Sequence, residues 1–213
     1  MVNMVTSLDG ATAVGGTSSA LGDDDDRRLF HALRASCDVV LVGAGTVRAE
    51  VYHPIHLEPE VVERRLSLGL RGVPRLAIVS QSLWLDPSAP VFSRLDETPY
   101  VVTHGEAELP PDLAARSEVI GAGNGSVDLA RAVRSLFDRG QEVILCEGGP
   151  TLNGHLVRAD LVDELNLTLS PLMVVGVSNQ LARGQAASPV DFRLDRLMTG
   201  DRMLFVRYLR DRP

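Results

Sequence analysis

The sequence has little cysteine, no excess of basic residues and no long apolar segment, and each shortage excludes a class of protein. Its 213 residues include two cysteines, Cys37 and Cys146, which are too few for a disulfide framework. Each lies beside an apolar stretch, so we expect buried thiols, and no set of residues has metal-ligand spacing. The apolar runs are too short to cross a bilayer, and the chain does not open with the basic and apolar regions of a signal peptide. We therefore expect a soluble cytoplasmic protein without a metal site.

The charge balance argues against a nucleic-acid partner. Lysine and arginine number 21 against 28 acidic residues, which gives a formal net charge of −7, whereas nucleic-acid binders carry a basic patch. The binding of an anionic ligand would therefore depend on local dipoles and on a few suitably positioned cationic side chains. No linker or internal repeat interrupts the sequence, and a chain of this length can form one large domain. We expect residues 1–213 to be a single domain.

Strand and helix patterns alternate along most of the chain, and the C-terminal part contains strand patterns alone. The first strand is predicted at 1–7 and is followed by a loop rich in glycine and serine at 10–22. The all-apolar run at 39–42 is typical of a strand buried on both faces of a parallel sheet. This order predicts an α/β fold with a mostly parallel central sheet, flanking helices and an antiparallel C-terminal ribbon at 191–197 and 202–209. Further strands are predicted at 75–80, 100–103, 118–120, 142–146 and 161–170, and helices at 61–68, 127–137 and 151–158.

The first long helix begins in an acidic run. Residues 23–26 are all aspartate, and carboxylates in the first turn complement the positive end of the helix dipole. Leu29, Phe30, Leu33 and Cys37 recur at helical spacing and are predicted to form the buried face of this helix.

Two strand-to-helix junctions are rich in glycine. The first spans 43–46 (Gly-Ala-Gly-Thr) and the second spans 147–151 (Glu-Gly-Gly-Pro-Thr). Glycine lets the backbone approach a ligand closely, and a helix N-terminus offers free N–H groups to an anion. Two such junctions at the carboxyl ends of parallel strands are predicted to converge on one crevice that fits a pyrophosphate; the alternative is that the glycines only make tight turns. The dinucleotide-binding fingerprint of the Rossmann fold does not apply, because its third glycine would fall on Arg48.

An ordered set of short motifs resembles a known family. The segments are Ser-Leu-Asp-Gly at 7–10, Leu-Arg-Ala at 33–35, Val-Val-Leu-Val-Gly-x-Gly-Thr-Val at 39–47, Glu-Gly-Gly-Pro-Thr-Leu at 147–152, Leu-Val-Asp-Glu-Leu at 161–165 and Ser-Pro at 170–171. Together they resemble the reductase domain of bifunctional riboflavin-biosynthesis enzymes over about residues 3 to 175. The resemblance implies a dihydrofolate-reductase-like fold. It also implies reduction of the ribosylamino group of 5-amino-6-(5-phosphoribosylamino)uracil to a ribitylamino group, with NADPH as the cofactor.

The resemblance also implies which residues bind the cofactor. Ser80 is expected near the adenosine phosphate, which is the reason to name NADPH, and the main chain after Gly149 is expected to surround the pyrophosphate. Alternatively, Ser80 has no role in binding and only ends a strand. The full set implied is Val5, Leu21, Gly43, Gly45, Thr46, Glu50, Ser80, Gly148, Gly149, Pro150, Thr151, Leu152, Asn153, Gly154 and His155.

On the substrate side the resemblance points to Ser19, Arg34 and Glu147. Glu147 and Asp9 are the candidate catalytic groups, because hydride transfer must be matched by one proton. Asp9 has an alternative role as the cap of a turn, and Arg34 has one as a solvated cation at a helix end. Glu147 follows an apolar strand and precedes two glycines, so it is expected to point into the crevice.

The sequence departs from the family mainly where substrate would bind. Ala11 and Thr12 stand where a basic residue usually follows Asp-Gly, and Leu57 replaces an arginine that would grip the substrate phosphate. The zinc deaminase half is missing, and a chain that starts directly in a strand suggests that residues are missing upstream. NADPH binding is therefore the firmer inference, and the natural substrate stays open.

Two other functions remain possible at this stage. One is reduction of a pterin or dihydrofolate, which the shared fold permits but which usually needs a carboxylate on the first long helix facing the pterin. The aspartates at 23–26 lie at the start of that helix, where we expect them to be too exposed. The other is a non-catalytic NADP-binding protein. We also expect a homodimer, because the resemblance implies a reductase domain that generally pairs and the C-terminal strands offer an edge for pairing.

Overall fold

The computed structural model of this chain describes residues 1–94, 97–176, 179–185 and 188–212. In chain order the elements are β1 (Val2–Thr6), α1 (Asp24–Ser36), β2 (Val39–Gly43), α2 (Ala44–Ala49), α3 (Pro59–Ser67), β3 (Arg75–Val79), a 3₁₀ turn (Pro90–Phe92), β4 (Tyr100–Thr103), α4 (Pro111–Ala114), β5 (Glu118–Gly121), α5 (Leu129–Phe137), β6 (Ile144–Cys146), α6 (Pro150–Arg158), β7 (Glu164–Leu169), β8 (Phe192–Thr199) and β9 (Leu204–Arg210). Within the described ranges, no helix combines the length and the apolar character needed to cross a membrane.

The chain forms two compact units. The first comprises Met1–Ala32 and Cys146–Pro213, and the second comprises Leu33–Leu145. The boundary falls within α1 and within β6, so each of these elements contributes residues to both units.

The second unit is a parallel α/β layer. Its strands lie in the order β5-β4-β3-β2 with β6 beside β2, and the pairs β2–β3, β3–β4 and β4–β5 are all parallel. The residues at 39–42 are all buried, as their apolar character predicted. Parallel strands place all their carboxyl ends at one edge, which is where ligands bind in such sheets.

A buried arginine secures the start of this layer. Arg65 on α3 is 2% exposed, and its guanidinium donates hydrogen bonds to the main-chain carbonyls of Ala35, Cys37 and Arg71. The C-terminal carbonyls of a helix lack partners within the helix. Arg65 satisfies them at the end of α1 and thereby fixes the chain as it enters β2.

The first unit combines parallel and antiparallel pairing. β1 pairs in parallel with β6, at Val2 and Cys146, and with β7, whereas β9 pairs antiparallel with both β7 and β8. The prediction of a mostly parallel sheet with an antiparallel C-terminal ribbon is confirmed.

The pattern of burial in β7 differs from that of an ordinary amphipathic strand. Its polar residues Asn166, Thr168 and the following Ser170 are buried, whereas Leu165 and Leu167 are only half-buried. Side chains alternate between the faces of a strand. One face of β7 is therefore a buried polar stripe.

The predicted buried face of α1 is only partly correct. Cys37, just beyond the helix, is fully buried, but Leu29, Phe30 and Leu33 are half-exposed, and no residue of α1 is fully covered. Helical spacing identifies the side that turns inward, but the depth of burial depends on the surface opposite.

Candidate active site

In the second unit, the glycine-rich junction joins β2 to α2 as predicted. Gly43 is the N-cap residue and makes no side-chain cap, and Gly45 is exposed. Thr46 is half-buried, and its carbonyl accepts a hydrogen bond from the N–H of Glu50, the C-cap residue. The N-cap residue of α2 therefore provides no side-chain cap for the first main-chain N–H groups of the helix, which suits an anion site.

Arg34 lies in the last turn of α1, within the second unit. Its guanidinium lies over the ring of Tyr52, 5.8 Å from the ring centroid. A guanidinium over an aromatic face is a favourable contact that also orients the cation. Arg34 is therefore held by its surroundings instead of being a freely solvated helix-end charge.

The carboxyl edge of β3 and β4 contains polar atoms without protein partners. Ser80 and Thr103 are 2% and 0% exposed, and neither hydroxyl has a hydrogen-bond partner among the described residues, nor does Nδ1 of His104. Buried polar groups are normally paired. These atoms fit the phosphate or ribose of a nucleotide, so the residues present suit the cofactor implied by the sequence. Sequence reasoning identified Ser80 but missed Thr103 and His104, whose only signal is their position at the end of an apolar strand.

In the first unit, the second glycine-rich junction joins β6 to α6. Glu147 is 8% exposed, and Gly148 has φ +86°, with the site of an added Cβ 3.2 Å from Met4 Sδ. The Gly148–Gly149 peptide is cis. Gly149 is the N-cap residue of α6 and provides no side-chain cap. A buried carboxylate therefore directly precedes a helix N-terminus that is suited to an anion.

Residues of α6 pack against a loop of the first unit and form hydrogen bonds with it. Asn153 is buried and donates from Nδ2 to the carbonyl of Leu181 at 2.9 Å, and the N–H of Arg183 donates to the carbonyl of Pro150 at 2.9 Å. A Cβ on Gly154 would lie 2.0 Å from the Arg183 carbonyl oxygen. Asn153 and Gly154 therefore have structural roles of their own. The cofactor contacts implied for them, and for the buried Leu152 and the exposed Thr151 and His155, remain proposals.

Asp9 caps a turn at the end of β1. The Ser7 hydroxyl and the N–H of Val174 both donate to its carboxylate, the latter at 3.0 Å. These hydrogen bonds, that of Ser7 first, lower the pKa of Asp9. A carboxylate kept ionised is a poor proton donor, so the geometry favours the capping role and leaves Glu147 as the better catalytic candidate.

The remaining residues predicted in the first unit differ in accessibility. Val5 is half-buried, and Leu21 is fully buried, so only the main chain of Leu21 could reach a ligand. Ser19 is exposed, and its hydroxyl lies 3.1 Å from that of Thr17. Ser19 is thus accessible to a substrate.

The acidic run at the start of α1 is not uniformly exposed, which corrects the expectation from sequence. Asp23 caps the helix by accepting from the N–H groups of Asp25 and Asp26, at 2.9 and 3.0 Å. Asp24 and Asp25 pair with arginines of the next turn. Asp26 is half-buried, and burial raises its pKa, with Asp23 adding to the effect and the hydroxyl of Thr168 opposing it. Asp26 is thus a half-buried carboxyl group that sequence reasoning did not single out.

No three histidine, cysteine, aspartate or glutamate side chains in the described part of the chain could hold a metal ion together. The two cysteines are free and buried, as predicted, and burial raises the pKa of Cys146 to about 12. Cys146 is therefore a neutral thiol in the core, where it donates to Asn153 at 3.4 Å.

Comparison with known proteins identifies a family and a fold. Residues 1–204 match the family described as RibD C-terminal domain. A 2,5-diamino-6-ribosylamino-4(3H)-pyrimidinone 5′-phosphate reductase from Methanothermobacter thermautotrophicus is 31% identical over 179 residues, which are 83% of this chain and 79% of that protein. The crystal structure of a pyrimidine reductase-like protein from Corynebacterium diphtheriae is 29% identical, with a TM-score of 0.89 over 100% of this chain and 91% of the other. The fold alone is shared with dihydrofolate reductase from Enterococcus faecalis, at 10% identity and a TM-score of 0.53, over 99% of this chain and 95% of the other.

Proposed function

This chain belongs to the RibD C-terminal domain family, and we propose that it is an NADPH-dependent reductase of a phosphoribosylamino-pyrimidine in riboflavin biosynthesis. The observation that carries the proposal is the β6–α6 junction. There the buried carboxylate of Glu147 directly precedes a helix N-terminus whose N-cap residue, Gly149, provides no side-chain cap. Such a junction can place an anionic cofactor and a proton-handling group next to each other.

In this proposal, one group of residues holds the cofactor and Glu147 handles the proton. The N–H groups at the start of α6 would bind the pyrophosphate, and the Ser80 hydroxyl would bind the adenosine phosphate. NADPH supplies the hydride when it is bound. Glu147 would orient the substrate and donate or relay the one proton that must accompany the hydride.

We expect NADPH to bind more tightly than NADH because Ser80 presents a buried and unsatisfied hydroxyl. Hydrogen bonds to charged groups contribute about 1.5–3 kcal/mol, so Ser80→Ala should weaken NADPH binding by about tenfold or more and leave NADH binding unchanged. Ser88→Ala is a matched control, since that exposed hydroxyl donates within its own turn, to Asp86. Titration calorimetry with both cofactors measures the difference, and equal affinities of the wild type for the two would remove the basis for naming NADPH.

We also propose a homodimer formed through the C-terminal ribbon. β8 is exposed along nearly its whole length and carries Leu194, Leu197 and Met198, which are 56%, 56% and 46% exposed. An exposed edge strand with apolar side chains is a ready partner for a second copy. Light scattering at micromolar concentration should give the mass of two chains, and a monomer would contradict this assignment.

A pterin or dihydrofolate reductase remains the second candidate, and one observation favours it. Asp26 is a half-buried carboxyl group on the first long helix, which is a feature that such a reductase usually requires and that we did not expect from the sequence. Turnover of NADPH with any acceptor would exclude the remaining hypothesis, that the chain is a non-catalytic NADP-binding protein.

A further inference from the structure

The thiol of Cys146, at the end of β6, makes two hydrogen bonds beside the candidate site. Its buried sulfur accepts from the N–H of Gly148 and donates to Oδ1 of Asn153, both at 3.4 Å. The direction of the second bond is fixed, because Nδ2 of Asn153 donates to the carbonyl of Leu181 at 2.9 Å and a carbonyl can only accept. The thiol must therefore stay protonated, and burial raises the pKa of Cys146 to about 12.

The bond to Gly148 fixes the main chain next to Glu147. The N–H of Gly148 belongs to the planar peptide unit that follows Glu147, so the sulfur holds that plane in one orientation. On the other side, the N–H of Cys146 donates to the carbonyl of Met1 at 2.8 Å. The main chain is therefore held before and after Glu147, which restricts the direction in which its carboxyl group points.

Side chains of β1 and α6 also close on Gly148. A Cβ at this position would lie 3.2 Å from Sδ of Met4 and 3.7 Å from Nδ2 of Asn153. The amide of Asn153 thus contacts both the sulfur and the glycine to which the sulfur is bonded. Any displacement of this amide would be transmitted to the peptide that follows Glu147.

The amide of Asn153 is itself anchored by residues 179–183, which we call the strap. The N–H of Arg183 in the strap donates to the carbonyl of Pro150 at 2.9 Å. The carbonyl of Asn179 accepts from the N–H and the hydroxyl of Thr12, at 3.3 and 3.1 Å. The strap is therefore bonded both to α6 and to the loop after β1, and it gives the network a fixed end.

We propose that Cys146 is a positioning residue, whose thiol, held by Asn153, aims the carboxyl group of Glu147 at the substrate. This inference rests on the proposed reductase function and deepens it. A group that donates or relays a proton must lie within hydrogen-bond reach of the atom that receives it. A displacement of about 1 Å can lower the rate about a hundredfold. Cys146 takes no part in the chemistry, because its thiol is neutral and buried.

The test compares Cys146→Ala, which removes both sulfur contacts, with Cys146→Ser, whose hydroxyl can accept from Gly148 and donate to Asn153. The substrates are NADPH and the phosphoribosylamino-pyrimidine named for the Methanothermobacter relative. Cys146→Ala should lower kcat by about tenfold to a hundredfold and leave the Kd of NADPH nearly unchanged, whereas Cys146→Ser should retain most of kcat. Cys37→Ala is the matched control, since that thiol is also buried and donates to the carbonyl of Arg34 at 3.4 Å. It should lower Tm to a similar extent without lowering kcat.

A double-mutant cycle shows whether Cys146 acts through Glu147. In the Glu147→Gln background, Cys146→Ala should have little further effect on kcat, because no proton-handling group remains to be aimed. Losses that multiply would overturn the proposal, and so would a Cys146→Ala variant with the kcat of the wild type or with a loss that Cys37→Ala shares. If Cys146→Ala does not fold, Cys146→Val replaces it, since valine fills the space and makes neither hydrogen bond.

A result without activity separates this inference from the proposed function. If the wild type reduces neither this pyrimidine nor its uracil counterpart, the proposed function fails, and carbon NMR of the labelled protein decides on the positioning. The carboxyl resonance of Glu147 should move in Cys146→Ala and return towards its wild-type position in Cys146→Ser. A Glu147 resonance that is the same in all three proteins would overturn the positioning role.

Discussion

Replacing Gly154 by alanine should strongly destabilise the protein. The added Cβ would lie 2.0 Å from the carbonyl oxygen of Arg183 and 2.7 Å from its carbonyl carbon, and both atoms belong to the backbone. The loop must move away and lose the Asn153–Leu181 and Arg183–Pro150 hydrogen bonds. Overpacking and the two lost bonds together amount to about 3 kcal/mol, which for a chain of this size lowers Tm by about 6–12 °C.

The control for this variant is Gly45→Ala. Gly45 is also helical, but its added Cβ would lie 3.9 Å from the end of the flexible Arg48 side chain, which is an ordinary van der Waals distance. Because alanine is a better helix former than glycine, we expect stability to stay the same or rise by up to about 1 kcal/mol. Thermal unfolding of both variants without ligand measures the contrast, and a Gly154→Ala protein as stable as Gly45→Ala would show that the loop does not pack on α6 as described.

Glu147→Gln should lower turnover by about a hundredfold and leave NADPH affinity nearly unchanged. The substitution keeps the shape of this buried side chain but removes the carboxyl group that we propose handles the proton, and general acid–base catalysis contributes about 10² to 10⁴-fold. Single-turnover kinetics with saturating NADPH would measure the chemical step, and calorimetry would measure cofactor binding.

Thr46→Val provides the complementary variant. It removes a hydroxyl from the β2–α2 junction, so it should weaken NADPH binding by about 1 kcal/mol, or up to about 3 kcal/mol if a charged oxygen is left unpaired. If Glu147→Gln lost NADPH binding as severely as Thr46→Val, the assignment of Glu147 to substrate would be wrong. If neither variant changed binding or turnover, both junctions would be misassigned.

The order of strands and helices could be predicted from sequence because local patterns determine it. The all-apolar run at 39–42, the glycine-rich junctions and the C-terminal ribbon all appear where the sequence placed them, with ends that differ by a few residues. The short helix Pro111–Ala114 and the 3₁₀ turn Pro90–Phe92 were missed. They are too short to show a helical period, which is the signal on which such predictions depend.

The candidate site was less predictable, because it depends on which side chains the fold buries. Thr168 looks like an ordinary polar residue of an alternating strand, but the fold buries it completely. Asp26 is one of four identical residues, and the sequence contains nothing that distinguishes it from Asp24. Arg65, similarly, carries the pattern of a solvated cation but is buried against main-chain carbonyls. Neither Asp26 nor Arg65 belongs to a motif, so neither could be identified before the fold was known.

The central claim is that this chain reduces a phosphoribosylamino-pyrimidine with NADPH. The most direct test incubates the purified protein with NADPH deuterated at the transferred position and with 2,5-diamino-6-ribosylamino-4(3H)-pyrimidinone 5′-phosphate, the compound named for its Methanothermobacter relative. The product is then examined by mass spectrometry. We expect a ribitylamino compound that has gained one deuterium on carbon and one proton, in step with NADPH oxidation. A protein that binds NADPH but transfers no deuterium to this acceptor or to its uracil counterpart would contradict the claim.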